Sequence, residues 1–290
     1  MAPLIFGEVL FDEFPNGAQI LGGAPFNVAW HLQAFGLTPL IISRIGNDEL
    51  GDKIQQTMQQ WQMSTLGIQT DPIHQTGRVI ISQTDKSHSF EIPENQAFDF
   101  IAENEVPDNL ASNELLYFGS LCLRNPIARQ TLKSILKLPS KHFVDINLRS
   151  PWWSEEVLSL ALQEAHWLKI NDEELAILNE SQKSVEASIE TFYQRYPVDV
   201  LIVTCGENGA YIFDGEKLLY NKADKVNDIK DTVGAGDAFT SIILLGISKN
   251  WPMEICLQRA LSFAADICGI QGATNNDKDF YNKHIQCWNN

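Results

Sequence analysis

Residues Asp231-Thr-Val-Gly-Ala-Gly-Asp-Ala-Phe239 set a glycine-rich turn directly before an apolar stretch, with one carboxylate at the junction. The first amides of a helix have no intrahelical acceptor and carry partial positive charge, so Gly234, Ala235 and Gly236 are expected to hold an anion. Asp237 is then placed to take a proton from an incoming alcohol, and the chemistry this predicts is phosphoryl transfer. Two other glycine motifs do not fit: a Walker A loop requires a Lys after the glycines, and a dinucleotide fingerprint requires a small residue where Phe239 stands. The bland alternative, a tight turn with a capping Asp, does not need two glycines and two acids together.

Further polar groups stand where apolar runs end, which is where open α/β sheets bind ligands. Asp12 follows the first such run and is expected to accept charge-assisted bonds from ligand hydroxyls, against the alternative of a turn-stabilising Asp. Gly22 and Gly23 lack side chains where a ligand would approach the backbone, with Asn27 in the first turn of the helix that follows. Arg149 closes Asp145-Ile-Asn-Leu-Arg149 and suits either a phosphate or substrate oxygen or a structural ion pair. Asn171 and Glu174 share one helical face, an arrangement that a plain N-cap also explains. Thr204-Cys-Gly206-Glu-Asn-Gly209 follows a strong strand and by itself is explained by a hairpin turn.

The stretch Asp231–Phe239 resembles the C-terminal signature of the ribokinase-like (PfkB) family of sugar and nucleoside kinases. Gly22-Gly-Ala-Pro-Phe-Asn-Val-Ala-Trp-His-Leu32, followed by Gly46-Asn-Asp48-Glu-Leu-Gly51, is similar to that family's N-terminal signature, and the likeness runs from Gly7 to about Gly272. The resemblance implies ATP as phosphoryl donor, Mg²⁺ as cofactor, Asp237 as general base, and sugar contacts from Asp12, Gly23 and Asn27. Asn171 and Glu174 look like the N-x-x-E motif that organises hydrated Mg²⁺ and phosphate, and residues 204–209 look like the T-x-G-x-x-G nucleotide loop. Gly7-Glu-Val-Leu-Phe-Asp12 and Asp145–Arg149 look most like fructokinases, which implies D-fructose as acceptor. The resemblance leaves open 2-keto-3-deoxygluconate and nucleoside kinases, a monovalent cation such as K⁺ near Asp231, and a non-catalytic sugar or nucleotide sensor on the same scaffold.

Apolar runs at Leu4–Leu10, Pro39–Ile45, Leu115–Gly119, His142–Ile146, Trp167–Ile170, Val200–Thr204 and Ala210–Phe213 alternate with amphipathic stretches. This order predicts an α/β fold: a mainly parallel central sheet flanked by helices on both faces. Residues Gly77–Thr84, a turn at Asp85-Lys-Ser, and His88–Ile92 break the rhythm as a hairpin. With Phe11–Ile20 it predicts a small β-lid, formed by about 11–20 and 76–98, inserted into one ribokinase-like domain spanning 1–290, through which two chains could pair as a homodimer. A net charge of −16 disfavours nucleic acid and anionic membrane as partners. Five scattered cysteines without C-x-x-C spacing, no basic leader and no apolar run of about 18 residues or more predict a cytoplasmic location.

Overall fold

The computed structural model describes residues 2–84, 87–108, 110, 113–179, 184–196, 198–226 and 228–288. In chain order the strands are β1 (Leu4–Phe6), β2 (Leu10–Glu13), β3 (Gln19–Gly22), β4 (Leu40–Gly46), β5 (Ile68–Asp71), β6 (Gly77–Thr84), β7 (Ser87–Glu91), β8 (Leu115–Gly119), β9 (Lys141–Asp145), β10 (Trp167–Asn171), β11 (Val200–Thr204), β12 (Ala210–Phe213) and β13 (Leu218–Asn221). The helices are α1 (Ala24–Ala34), α2 (Glu49–Gln60), α3 (Pro126–Ile135), α4 (Glu155–Glu164), α5 (Asp172–Asn179), α6 (Val185–Arg195), α7 (Ala235–Ser248), α8 (Met253–Cys268) and α9 (Lys278–Trp288).

Among the described residues the main sheet runs β13-β12-β11-β10-β9-β8-β1-β4-β5, parallel from β5 to β11, with β12 and β13 turned antiparallel at the edge. Strand residues alternate between the two faces, and each face carries its own core. Ile5, Tyr117, Phe143 and Ile202 pack with Phe26 of α1, Ile242 of α7 and Phe263 of α8. Phe6, Phe118, Val144 and Val203 pack with Leu132 of α3, Val157 of α4 and Phe192 of α6. This is the double-sided burial that the apolar runs require. Within the first core, His31 of α1 is fully buried between Tyr281 Oη (3.0 Å) and Ala273 O (3.1 Å), and burial pulls its pKa down to about 3.

A second sheet, β3-β2-β6-β7, forms the expected lid; Asp85 and Lys86 of its expected turn lie outside the described residues. The expected first strand, Leu4–Leu10, is in fact two: β1 belongs to the main sheet and β2 to the lid, with Gly7-Glu-Val between them. The break follows from α1, because a Cβ on Gly7 would stand 2.4 Å from Pro25 Cγ. Asp12 therefore lies on a lid strand rather than in a turn after β1. Strand β5 escaped the periodicity because Ile-Gln-Thr-Asp is mostly polar; its buried Gln69 and Asp71 are satisfied by Arg44, at 3.0 and 2.8 Å. Strand β13 escaped it because half its residues face solvent at the sheet edge.

The Gly46-Asn-Asp-Glu-Leu-Gly51 segment knots the lid to the main sheet. Asp48 caps α2 through Gly51 N (2.9 Å) and also accepts from Thr76 N (2.8 Å) and Thr76 Oγ1 (2.7 Å), immediately before β6. A Cβ on Gly51 would lie 2.2 Å from Gly46 O, so only a glycine permits this crossing.

Candidate active site

The carboxyl ends of the parallel strands point one way, and Glu8, Asp145, Asn171 and Thr204 all stand at or just beyond them. Helix α7 begins over that edge. Its N-cap, Gly234, is left-handed (φ 79°), and a Cβ there would stand 2.3 Å from Ala273 Cβ. Both facts demand glycine, and together they turn the first amides of α7 outward. Ala235 N makes a long 3.4 Å contact with Thr232 O, while Gly236 is exposed.

Asp237 sits in the first turn of α7, half-buried, and its Oδ2 accepts a 2.8 Å hydrogen bond from Asn27 Nδ2 of α1. Burial raises its pKa to about 6; the Asn27 bond pulls the other way, Asp145 adds to the rise, and Lys169 and Arg149 oppose it. A base poised near neutrality is suited to general-base work. The structure thus joins two residues 210 positions apart that the sequence singled out separately.

Asn27 is buried, and its Oδ1 has no hydrogen-bond partner. Gly22 is the gap beside it: a Cβ there would lie 3.7 Å from Asp12 Oδ2 and 3.8 Å from Asn27 Oδ1. Burial also raises Asp12 to about 6, with Arg149 opposing and Asp231 adding to it. Asp12 and Asn27 Oδ1 thus flank the space beside Gly22, and the Asn27 amide links them to Asp237. Gly23 has a different reason to be glycine: it caps α1 at φ 103°, and a Cβ would meet Glu8 O at 2.8 Å.

Arg149 is exposed, and its guanidinium has no hydrogen-bond or ion-pair partner among the described residues. Its charge nonetheless reaches Asp12, Glu8 and Asp237. Asn171 and Glu174 form a reciprocal cap on α5: Asn171 Oδ1 accepts from Glu174 N (2.7 Å) and Glu174 Oε2 from Asn171 N (2.8 Å). Glu174 Oε1 accepts from Leu148 N at 2.6 Å, tying the Asp145–Arg149 segment to α5. Both carboxylate oxygens of Glu174 are thus engaged by backbone, and Asn171 keeps its two amide donors.

The loop Thr204–Gly209 bends through Gly206 (φ 54°) and Gly209 (φ 100°) and closes with Cys205 N on Gly209 O at 2.8 Å. It is the turn between β11 and β12 and backs onto the chain after β13, where a Cβ on Gly209 would stand 2.0 Å from Asn221 O. Asn221, Lys222, Asp224, Gln258 and Leu261 line an open groove of about 460 Å³ there. The groove lining does not include Asp237.

Sequence reasoning passed over a buried layer beneath these groups. Asp145 accepts from Lys169 Nζ at 3.0 and 2.8 Å and from Thr240 Oγ1 at 3.1 Å. Glu8 is buried with Oε2 unpartnered; burial raises it to about 7, Asp237 adds to the rise, and Arg149 and Arg124 oppose it. The signal was present in both cases as a charged residue inside an apolar strand run: Trp-Leu-Lys169-Ile and Phe-Gly-Glu8-Val-Leu.

Residues 7–279 match the pfkB family of carbohydrate kinases, and the chain belongs to that family. Its fold is ribokinase-like and its class is sugar kinase, a phosphotransferase acting on an alcohol group. It is 27% identical over 286 residues to a fructokinase of Salmonella typhimurium, covering 93% of this chain and 92% of that one. The fructokinase of Vibrio cholerae O395, solved with fructose, ADP and calcium ion, superposes with a TM-score of 0.81 at 25% identity over 94% of both chains. A sugar kinase of Pyrococcus horikoshii superposes at 0.80, with 25% identity, over 98% of this chain and 97% of that one.

Proposed function

We propose that this chain is a fructokinase, transferring the terminal phosphoryl group of ATP to a hydroxyl of D-fructose. The observation that carries this reading is a row of acceptors, Asp12 and Asn27 Oδ1 beside the glycine gap at Gly22 and Asp237 on the other arm of the Asn27 amide. Hydroxyl hydrogens are the donors such a row lacks, and an unpaired buried acceptor is costly until a ligand supplies one. The similar chains named fructokinase support fructose among polyols. A 2-keto-3-deoxygluconate kinase would need cations for the substrate carboxylate. Arg124 is committed to Asp99 (2.7 Å) and Arg78 is paired with Glu13 (3.6 Å), which leaves Arg149 as the arginine on this side of the site whose guanidinium is unpaired among the described residues.

Asp12 and Asn27 orient the sugar, and Asp237, held by Asn27, removes the proton from the attacking hydroxyl. The amides of Gly234, Ala235 and Gly236, at the positive end of α7, stabilise charge on the transferring group, so positioning and electrostatics supply most of the rate. Thr204, Gly206 and Gly209 bind the nucleotide beside the groove at Asn221. Among the described residues no group of three or more His, Cys, Asp or Glu forms a metal cage. The Asn171–Glu174 pair on α5, with the Asn171 amide donors unengaged, is the set that would meet through water a hydrated Mg²⁺ carried on the phosphates. When bound, the ion would neutralise phosphate charge. A monovalent cation near Asp231 belongs to the same reading, as does a lid acting as part of one kinase domain and closing over the sugar to exclude water. So do a cytoplasmic location and a homodimer through the lid, whose β6 and β7 expose Ile80 and Phe90.

The test is ADP release with Mg-ATP across fructose, glucose, ribose, 2-keto-3-deoxygluconate and adenosine, with Asp237→Asn in parallel. Fructose-dependent turnover that falls by about 10²–10⁴ in the variant is expected. Tight ATP binding with no turnover on any acceptor would favour a sensor instead.

A further inference from the structure

We infer that Lys169 is a catalytic residue, its ammonium donating a hydrogen bond to the transferring phosphoryl oxygen through the opening that Gly236 leaves at the start of α7. This rests on the kinase reading above but not on which sugar is the acceptor. Lys169 projects from β10 and is buried, a costly place for a cation unless the charge is used or paired. Two of its three protons are accounted for by Asp145, at 3.0 and 2.8 Å, and among the described residues Nζ has no other partner. A Cβ built on Gly236 would stand 3.6 Å from Nζ, so the side-chain space of that residue lies directly against the ammonium. Gly236 itself is exposed. The missing side chain is therefore a window between the buried cation and the site where the α7 amides hold phosphate.

The surroundings keep the ammonium charged. Burial works against the charge, but Asp145 outweighs it, with Glu174 and Asp237 adding to the effect, so the pKa of Lys169 is raised. Asp145 is in turn fixed by Thr240 of α7, which ties the position of Nζ to the same helix that presents the anion-binding amides. No additional proton moves: Lys169 stays protonated, Asp237 takes the hydroxyl proton, and the bond from phosphorus to the ADP oxygen breaks as the bond to the sugar oxygen forms. The lysine contributes positive charge where negative charge is transferred, in a chain whose net charge of −16 otherwise repels a nucleotide.

The experiment compares Lys169→Met with the double variant Lys169→Met/Asp145→Asn, which removes both partners and leaves no unpaired buried carboxylate. Turnover is measured at pH 8, where Asp237 is ionised, and calorimetry compares ADP with a non-hydrolysable ATP analogue. Both variants are expected to lose about 10²–10³ in kcat and to bind the analogue more weakly while holding ADP as the wild type does. Recovery of wild-type turnover in the double variant, or equal weakening of ADP and the analogue, would show that Lys169 only neutralises Asp145 and would overturn the inference. Lys169→Gln, closer in shape, is read by the same two measurements if the methionine variants do not fold. Wild-type turnover on the sugar panel separately tests the kinase reading, so the two failures are distinguishable.

Discussion

Replacing Glu8 by Gln should stabilise the protein at pH 8 and do so much less at pH 5. Glu8 is 4% exposed and its Oε2 has no partner, so the folded state holds an ionised carboxylate there at a cost. Burial, assisted by repulsion from Asp237, moves its pKa from 4.5 to about 7, with a hydrogen bond from its own backbone N–H and the charges of Arg149 and Arg124 opposing. At about 1.4 kcal/mol for each pH unit, that gap corresponds to a penalty of about 3 kcal/mol once both states are ionised. The folded state binds the proton more tightly, so the penalty is absent well below pH 4.5, grows as pH rises to about 7, and is constant above that. A Gln carries no charge to desolvate, but its amide inherits the unpartnered position at a cost of about 1 kcal/mol, leaving a net gain of about 2 kcal/mol. In a chain of this size that raises Tm by several degrees. Urea denaturation of both proteins at pH 8 and pH 5 reads the difference, and the shifted groups His31 and Asp12 are common to both. An equal gain at the two pH values, or a loss at pH 8, would refute the argument that an uncompensated buried charge sits at Glu8.

With Asp237 titrating near 6 and acting as its base form, kcat/KM should fall tenfold per pH unit below about 6, and Asn27→Ala, which removes a bond that favours the ionised form, should move that limb to higher pH. A limb at the ordinary carboxylate value would contradict the burial of Asp237. Gly234→Ala should destabilise by about 2–4 kcal/mol, combining left-handed strain with collision against Ala273, and weaken ATP binding; melting and calorimetry check both. Asp48→Ala removes an acceptor from Gly51 and twice from Thr76, and should cost about 3 kcal/mol and raise proteolysis of the lid before that of the main sheet.

Local chemistry made much of the protein legible in its sequence. A continuous apolar run buries on both faces wherever helices follow, so the parallel strands β4, β8, β9, β10 and β11 stood out, and the glycines before Asp237 announced a helix N-terminus because few other residues open one that way. Motif reading also singled out Asp12, Gly22, Gly23, Asn27 and Arg149 as a group. What it could not supply was contact between distant residues and the reason each glycine is there. Only packing of α1 against α7 brings Asn27 onto Asp237, and only the crossing of β1 beneath α1 makes Gly23 a requirement of the chain while leaving Gly22 open. Likewise Lys169 and Glu8 looked like interruptions of apolar strands until the sheet placed them under the site. Residue type and spacing determine what a segment can do alone; which charges are buried together, and at what pKa, depends on desolvation by elements far away in sequence, and only the tertiary structure decides that.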